Sequence, residues 1–174
     1  NRLVFDEILS TFLINSKIRK NIKKEKKIRK NFSNKAINQI KKEIKYNLTP
    51  DQINTISEIN NDLKSNQKMF RLLQGDVGSG KTIVALIACL NVIYSDFQVS
   101  FMSPTEILAK QHYKLAKNLF PKNISVGLLT SKTERAERNI ILNNLITNKM
   151  KIIFGTHSLF QEKIIYKNLG LVII

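Results

Sequence analysis

Apolar and polar residues alternate along most of the chain with two periods, one typical of helices and one typical of buried strands. Apolar residues at helical spacing predict helices over residues 81–94, 105–120 and 132–147. Short stretches rich in apolar residues predict strands over residues 69–74, 98–102, 124–129, 151–154 and 169–174. Because strand and helix patterns follow one another repeatedly, we expect an α/β fold, in which a parallel sheet is covered by helices on both faces.

A strong helix start precedes the first of these strands. Thr49 can cap a helix, Pro50 suits its first position, and Gln52 can complete a capping box with Thr49. The buried stripe of this helix is predicted to be Ile53, Ile56, Ile59 and Leu63. The predicted helix over 105–120 has its own stripe along one side, formed by Ile107, Leu108, Gln111 and Leu115.

The first 48 residues differ from the rest of the chain in charge. They hold 14 basic and 4 acidic residues, in a chain with 29 basic and 13 acidic residues and a net charge of +16. An amphipathic pattern over 3–16 becomes basic at Lys17, and we expect this helix to continue to about Arg29. Ser33 is a candidate cap for a short second helix, which would carry Ile37, Ile40 and Ile44.

Three interpretations of this basic charge stay open. The segment is suited to binding the phosphates of a polyanion, but it is equally typical of a solvated helix face. A bias towards Lys, Asn and Ile, of the kind found in AT-rich genomes, would also add positive charge without any function. The character of the sequence changes near Leu48, so we divide the chain into a basic helical segment over 1–47 and an α/β domain over 48–174.

Composition excludes several classes of protein. No apolar run approaches the roughly 20 residues needed to span a membrane, so we expect no membrane partner. The single cysteine, Cys89, lies in an apolar helix, where we expect it in the core, and it excludes an internal disulfide. A reducing, cytoplasmic location follows. Residues 171–174 have the pattern of a buried strand with no turn after it, so we expect the chain to be a fragment.

A phosphate-binding motif follows the predicted strand over 69–74. The pattern G-x-x-x-x-G-K-[ST] is matched by Gly75-Asp76-Val77-Gly78-Ser79-Gly80-Lys81-Thr82. Its glycines let several backbone N–H groups point at a β-phosphate, at the positive end of the helix that follows. Lys81, the candidate catalytic residue, would lie between the β- and γ-phosphates, and the Thr82 hydroxyl would bind magnesium. The alternative, a Gly-rich turn that matches by chance, is disfavoured by the strand pattern before it and the helix pattern after it.

The residues around this motif resemble the RecG-type DNA helicases of superfamily 2. The stretch RLLQGDVGSGKT (71–82) looks like motif I of that family, MSPTEILAKQHY (102–113) like its motif Ia, and GTHSL (155–159) like its motif Ic. LTPDQ (48–52) is similar to its Gln element, and the basic helix resembles the segment that joins its wedge domain to its motor. The resemblance covers nearly the whole chain and implies an incomplete RecA-like P-loop domain.

The resemblance also implies ligands and contacts. The nucleotide would be ATP with magnesium, and Gln52 would hydrogen-bond to adenine, although the capping box with Thr49 competes for the same side chain. Pro104 and Thr105 would present a helix N-terminus to a DNA phosphate, with an ordinary helix cap as the alternative. The other candidate DNA contacts, each with a plain structural or surface alternative, are Gln111, Thr130, Gly155, Thr156 and His157.

The function implied is that of an ATP-dependent helicase and translocase, acting as a monomer. It would remodel branched double-stranded DNA, such as stalled forks and Holliday junctions, in recombination and repair. The family's acidic box would follow Ile174, so we expect the fragment alone to bind nucleotide weakly and not to hydrolyse it. Two alternatives stay open: the motor of a transcription-repair coupling factor, and a non-catalytic module that binds nucleotide and nucleic acid.

Overall fold

The structure is a computed structural model that describes residues 9–10, 13, 35–44, 47–160 and 164–174. Leu9, Ser10 and Leu13 have helical backbone, as the pattern over 3–16 predicts. The basic run from Lys17 to Arg29 and the predicted cap Ser33 lie outside the described residues. The division of the chain at Leu48 therefore stays a prediction.

Two helices come first among the elements below, and from residue 81 onwards helices and strands alternate. The helices are α1 (Lys35–Glu43), α2 (Pro50–Lys64), α3 (Lys81–Tyr94), α4 (Glu106–Leu119) and α5 (Arg135–Ile146). The strands are β1 (Gln98–Met102), β2 (Val126–Leu129), β3 (Ile152–Gly155) and β4 (Leu169–Ile173), with a 3₁₀-helix (His157–Phe160) after β3. The helix predicted over 81–94 and the strand predicted over 98–102 have the observed bounds.

The strands described form one parallel sheet in the order β2-β3-β1-β4. Val99 of β1 pairs with Ile152 of β3, and Val126 of β2 pairs with the same residue from the other side. β4 pairs with the remaining edge of β1, where Phe101 lies opposite Ile173. Since all these strands run in one direction, the loops that follow them meet at one edge of the sheet. The predicted α/β fold is confirmed.

Helices cover both faces of the sheet and bury two apolar cores. On one face α1 to α4 enclose the larger core, in which Cys89 is fully buried, as predicted. On the other face Ile141 and Leu145 of α5 pack with Ile153 of β3. Burial raises the pKa of the Cys89 thiol, so this cysteine is an unreactive core residue. In the part of the chain that the structure describes, no helix is long and apolar enough to cross a membrane.

The predicted strand over 69–74 is wrong. These residues form no strand, and Phe70 and Leu72 are 68% and 84% exposed. A cleft of about 1040 Å³ lies between this lead-in segment, which we define as residues 68–74, and β4 at the edge of the sheet. An apolar run becomes a strand only when a neighbouring strand takes up its backbone hydrogen bonds. Among the described residues, no strand does so for the lead-in segment.

The predicted buried stripe of α2 needs correction, and the stripe predicted along one side of α4 is not its packed face. Ile53 is 42% exposed because it lies in the first turn of α2, ahead of the buried residues Ile56, Ile59 and Leu63. On α4, Ile107 is 71% exposed, and the helix instead buries Ala109, Ala116 and Leu119. Leu115 of the predicted stripe does pack against the core, together with Tyr113. The two buried alanines are residues that a pattern based on large apolar side chains does not detect.

Candidate functional site

The predicted phosphate-binding loop, residues 75–82, is an exposed turn that ends at the N-terminus of α3. Gly78 and Gly80 have φ angles of +83° and +81°, in the left-handed region that glycine adopts without strain. The N–H of Ser79 donates to the carbonyl of Asp76 (3.2 Å), which closes the turn. α3 begins at Lys81, so the positive end of its dipole faces the loop, as an anion site requires.

The ammonium of Lys81 lies inside this loop. Its Nζ donates to the carbonyl oxygens of Gly75 (2.8 Å) and Asp76 (2.6 Å). Thr82 follows in the first turn of α3, where it is half-buried. A loop with exposed backbone, a lysine ammonium at its centre and a hydroxyl at the helix start provides the donor set that a magnesium-bound nucleotide phosphate needs.

Gln52 connects the start of α2 to the same loop. Its Oε1 accepts from the backbone N–H of Thr49 (2.9 Å), and the Thr49 hydroxyl accepts from the backbone N–H of Gln52 (3.2 Å), so the predicted capping box is confirmed. Its Nε2 donates to the carbonyl of Ser79 (2.8 Å), a contact that the sequence did not predict. One side chain thus caps α2 and holds the phosphate-binding loop, and its contact with adenine stays a prediction.

Arg71 is a further residue near this loop that the sequence analysis missed as an individual contact. Its Nε donates to Asp62 Oδ2 (2.7 Å) and its Nη1 to Glu58 Oε2 (2.6 Å), both on α2. These hydrogen bonds raise the pKa of Arg71, so it stays fully charged. The two ion pairs attach the exposed lead-in segment to the helix that carries Gln52. The apolar neighbours Phe70 and Leu72 led to the prediction of a strand here, in which ion pairs of Arg71 with α2 were not expected.

The predicted DNA contacts lie on loops that follow β1, β2 and β3, at the carboxyl edge of the sheet. After β1, Pro104 is exposed, and Thr105 is the N-cap of α4, where its hydroxyl accepts from the N–H of Leu108 (3.3 Å). The alternative interpretation of Thr105, as an ordinary helix cap, is therefore confirmed. The backbone N–H of Ser103 donates to the carbonyl of Gly155 (2.8 Å), which joins the ends of β1 and β3.

Thr130 directly follows β2 and is buried. Its hydroxyl accepts from the N–H of Lys132 (3.3 Å), and its own N–H donates to the hydroxyl of Thr133 (2.9 Å). Thr130 thus shapes the turn, while Ser131 and Lys132 present their side chains to solvent. This burial argues that the exposed neighbours, rather than the Thr130 hydroxyl, face any ligand of this loop.

Three predicted contacts lie at the end of β3 and directly after it. Gly155 is buried, Thr156 is half-buried, and His157 is exposed at the start of the 3₁₀-helix. A Cβ on Gly155 would collide with the carbonyl oxygen of Leu129, so only glycine fits between β3 and the end of β2. Of the three, His157 has the side chain that is most accessible to a partner.

The candidate Gln111 and the residue after it, His112, lie on α4 in different surroundings. Gln111 is exposed, as a surface contact requires. The neighbouring His112 is half-buried, with its ring centroid 5.1 Å from that of Phe101, and burial lowers its pKa. His112 is therefore a neutral residue that packs on β1.

A contact that the sequence did not reveal joins two of these loops. Glu106, the first residue of α4, accepts hydrogen bonds at one oxygen, Oε1, from the Ser131 hydroxyl (2.6 Å) and the Ser131 N–H (3.2 Å). Twenty-five positions separate the two residues. A single sequence holds no pattern that pairs them.

The start of α3 and the loop after β1 border one cleft. The cleft between the lead-in segment and β4 is lined by Lys81 and Thr82, and also by Ser103 and Pro104 at the end of β1. The nucleotide candidates and the first of the DNA candidates therefore border a common space.

Comparison with known proteins agrees with the predicted resemblance. Residues 49–174 match the DEAD/DEAH box helicase family. Over 99% of its length the chain is 43% identical to the ATP-dependent DNA helicase RecG of Thermotoga maritima and 41% identical to that of Bacillus subtilis. It is also similar to a solved structure of RecG bound to a three-way DNA junction, with 42% identity over 98% of the chain and a TM-score of 0.88.

The chain spans only part of these relatives. It covers 22% of the Thermotoga maritima protein, 26% of the Bacillus subtilis protein and 24% of the solved chain. Over this part, the predicted resemblance to RecG-type helicases is confirmed.

Proposed function

We propose that this chain, which belongs to the DEAD/DEAH box helicase family, is the nucleotide-binding part of an ATP-dependent helicase and translocase that remodels branched DNA in recombination and repair. The observation that carries the proposal is the shared cleft, which brings Lys81 and Thr82 close to the end of β1, where α4 begins. The similarity to RecG, including RecG bound to a three-way junction, supports branched DNA as the substrate. Because the chain spans about a quarter of these relatives, the activity belongs to a protein of their length.

On the nucleotide side, the residues of this chain bind and orient ATP. The N–H groups of the phosphate-binding loop and the N-terminus of α3 hold phosphate oxygens. The Lys81 ammonium, which donates to two loop carbonyls, would hold the β- and γ-phosphates, and the Thr82 hydroxyl would hold magnesium. Gln52 selects adenine. Bound magnesium-ATP supplies the phosphoryl chemistry, and Lys81 stabilises the negative charge that develops on the transferred group.

On the DNA side, the loops at the carboxyl edge hold backbone phosphates. The N-terminus of α4, capped by Thr105, offers free N–H groups to one phosphate. Lys132 and His157 are exposed on the neighbouring loops, where they extend the same surface. Such contacts carry no sequence information, so binding depends on DNA shape and weakens steeply as salt concentration rises. The basic segment over 1–47 is proposed to add to this surface.

We further propose that the protein acts as a monomer in the cytoplasm. The location is supported by a lone cysteine that is buried in the core and by a chain without a long apolar run.

The test is ATP hydrolysis by the full-length protein, measured with a three-way junction, with linear duplex and without DNA. We expect strong stimulation by the junction, a weaker response to the duplex and loss of stimulation at high salt. Hydrolysis that is the same with and without DNA would refute the proposed function.

A further inference from the structure

We propose that Glu106 is a positioning residue, whose carboxylate ties the N-terminus of α4 to the loop after β2 and so fixes the spacing of two phosphate-binding elements. The inference rests on the proposed function of this edge of the sheet, and it assigns a role to a residue that would not itself contact DNA.

The geometry of the contact supports a tie between loops. One carboxylate oxygen of Glu106 accepts both the hydroxyl (2.6 Å) and the backbone N–H (3.2 Å) of Ser131. Charge-assisted hydrogen bonds of this length are about twice as strong as neutral ones. Because one of the two donors is a backbone N–H, the carboxylate fixes the loop itself and not only a side chain.

Because of the strand order, this contact joins loops that follow two non-adjacent strands. β3 lies between β2 and β1, so Ser131 and Glu106 meet across the end of β3. Two further hydrogen bonds join the same region. The N–H of Ser103 donates to the carbonyl of Gly155, and the hydroxyl of Ser158 donates to the carbonyl of Leu129 (3.2 Å). The loops after three strands are thus connected, and Glu106 provides the connection between the outer two.

A simpler role for Glu106, as an acidic residue that stabilises the start of a helix, does not explain its contact with Ser131. An acidic residue in the first turn of a helix is stabilised by the helix dipole wherever its side chain points. That role requires no partner in another loop, yet Glu106 is directed at Ser131. The Ser131 hydroxyl is the main cause that holds the pKa of Glu106 below its ordinary value, and its N–H and the charges of Lys132 and Lys110 add to the effect.

The charge of Glu106 also needs explanation at a surface proposed to bind phosphate. A carboxylate there repels the ligand unless its negative charge is taken up by neighbours. The two hydrogen bonds from Ser131 and the nearby Lys132 and Lys110 provide this compensation. If positioning is its purpose, a neutral residue that accepts the same hydrogen bonds should replace it.

The experiment compares three variants of the full-length protein. Glu106→Ala removes the tie, Glu106→Gln keeps an oxygen that can accept both hydrogen bonds, and Glu137→Ala removes a matched first-turn carboxylate from α5. Binding of a three-way junction is measured at two salt concentrations, and binding of ATP is measured without DNA. Amide hydrogen exchange at Ser131 reports the tie directly.

Positioning predicts that Glu106→Ala weakens junction binding roughly tenfold and speeds exchange at Ser131, with ATP binding unchanged. Glu106→Gln and Glu137→Ala should stay within about twofold of the wild type. Tighter junction binding by both Glu106 variants, or normal binding by Glu106→Ala, would overturn the inference. If Glu106→Ala unfolds, Ser131→Ala, which removes only the shorter bond, should show a smaller loss in the same direction. A wild-type protein that binds no junction would instead refute the proposed function, and the inference with it.

Discussion

The phosphate-binding loop and the carboxyl-edge loops are built in different ways. The former takes most of its shape from neighbours in sequence: two glycines with positive φ, a turn closed by Ser79 and Asp76, and a lysine bound to the loop's own carbonyls. To these, Gln52 adds one long-range hydrogen bond, to the carbonyl of Ser79. The latter take their shape from segments far apart in the chain, joined by Glu106 to Ser131 and by Ser103 to Gly155. Local contacts predominate in one region, and tertiary contacts predominate in the other.

This difference teaches where a motif is a sufficient guide. A phosphate-binding loop is recognised from a few residues because those same residues form most of its turn and its phosphate contacts. A surface assembled from three loops is recognised only in part, since its motif residues need partners outside the motif. Substitutions should therefore act locally in the first region and spread between loops in the second.

The largest effect is expected for Lys81→Ala. Its ammonium is the only side-chain charge among the described residues that lies within the phosphate-binding loop and bonds to its backbone. We expect DNA-stimulated ATP hydrolysis by the full-length protein to fall by roughly 100-fold or more, because charge stabilisation in the transition state is lost. Steady-state hydrolysis measures this, with the exposed Lys64→Ala of α2 as control. Near-normal hydrolysis by Lys81→Ala would mean that another group does this work.

A pair of glycine substitutions separates backbone strain from contact with Gln52. Gly78→Ala and Gly80→Ala both place a side chain at positive φ, which costs about 1–2 kcal/mol. At Gly78 no other atom lies within 4 Å of the new Cβ, whereas at Gly80 it collides with Gln52 Nε2. We expect Gly80→Ala to cost about 1 kcal/mol more, since the bond from Gln52 to Ser79 must break. Denaturant unfolding measures both, and equal losses would show that Gln52 does not secure the loop.

A pair of cap substitutions separates stability from DNA binding. Thr49 and Thr105 are both N-caps, with hydroxyls that accept from the backbone at 3.2 Å and 3.3 Å. Thr49→Ala and Thr105→Ala should each lower the unfolding free energy by about 1 kcal/mol. Only Thr105→Ala should also weaken junction binding, because its helix N-terminus lies at the carboxyl edge. If Thr49→Ala weakens junction binding equally, the effect is one of general stability.

The smallest effect is a pH dependence caused by His112. Burial lowers its pKa below the ordinary value of 6.5, so below that pH the unfolded chain binds more protons than the folded one. The stability that neutral His112 contributes is therefore complete above pH 6.5 and is lost as pH falls through the pKa of His112 in the folded protein. His112→Gln should flatten the fall in unfolding free energy as pH drops below 6.5. His157→Gln, which changes an exposed histidine, is the matched control, and an unchanged slope in His112→Gln would exclude this cause.

Much of the fold was predictable because local patterns act strongly in it. α3 and β1 have the predicted bounds, since each is a largely apolar segment bounded by polar residues. Thr49 and Gln52 form the predicted capping box for the same reason: both partners lie within one turn. These features depend on residues at most a few positions apart.

The failures share a different cause. Phe70 and Leu72 gave a strand pattern, but among the described residues no strand pairs with them. Ile107 has helical spacing but lies outside the packed face of α4. Ser131 was not expected because its partner Glu106 lies 25 positions away. Each of these outcomes depends on which segments meet in three dimensions, and spacing along one sequence does not contain that information.

The central claim, that the two regions serve different ligands, is tested most directly by measuring ATP binding without DNA and junction binding without nucleotide. Both are measured on full-length Lys81→Ala and Thr105→Ala proteins. We predict that Lys81→Ala loses ATP binding and keeps junction binding, while Thr105→Ala weakens junction binding and keeps ATP binding. Parallel losses of both ligands in both variants would contradict the account.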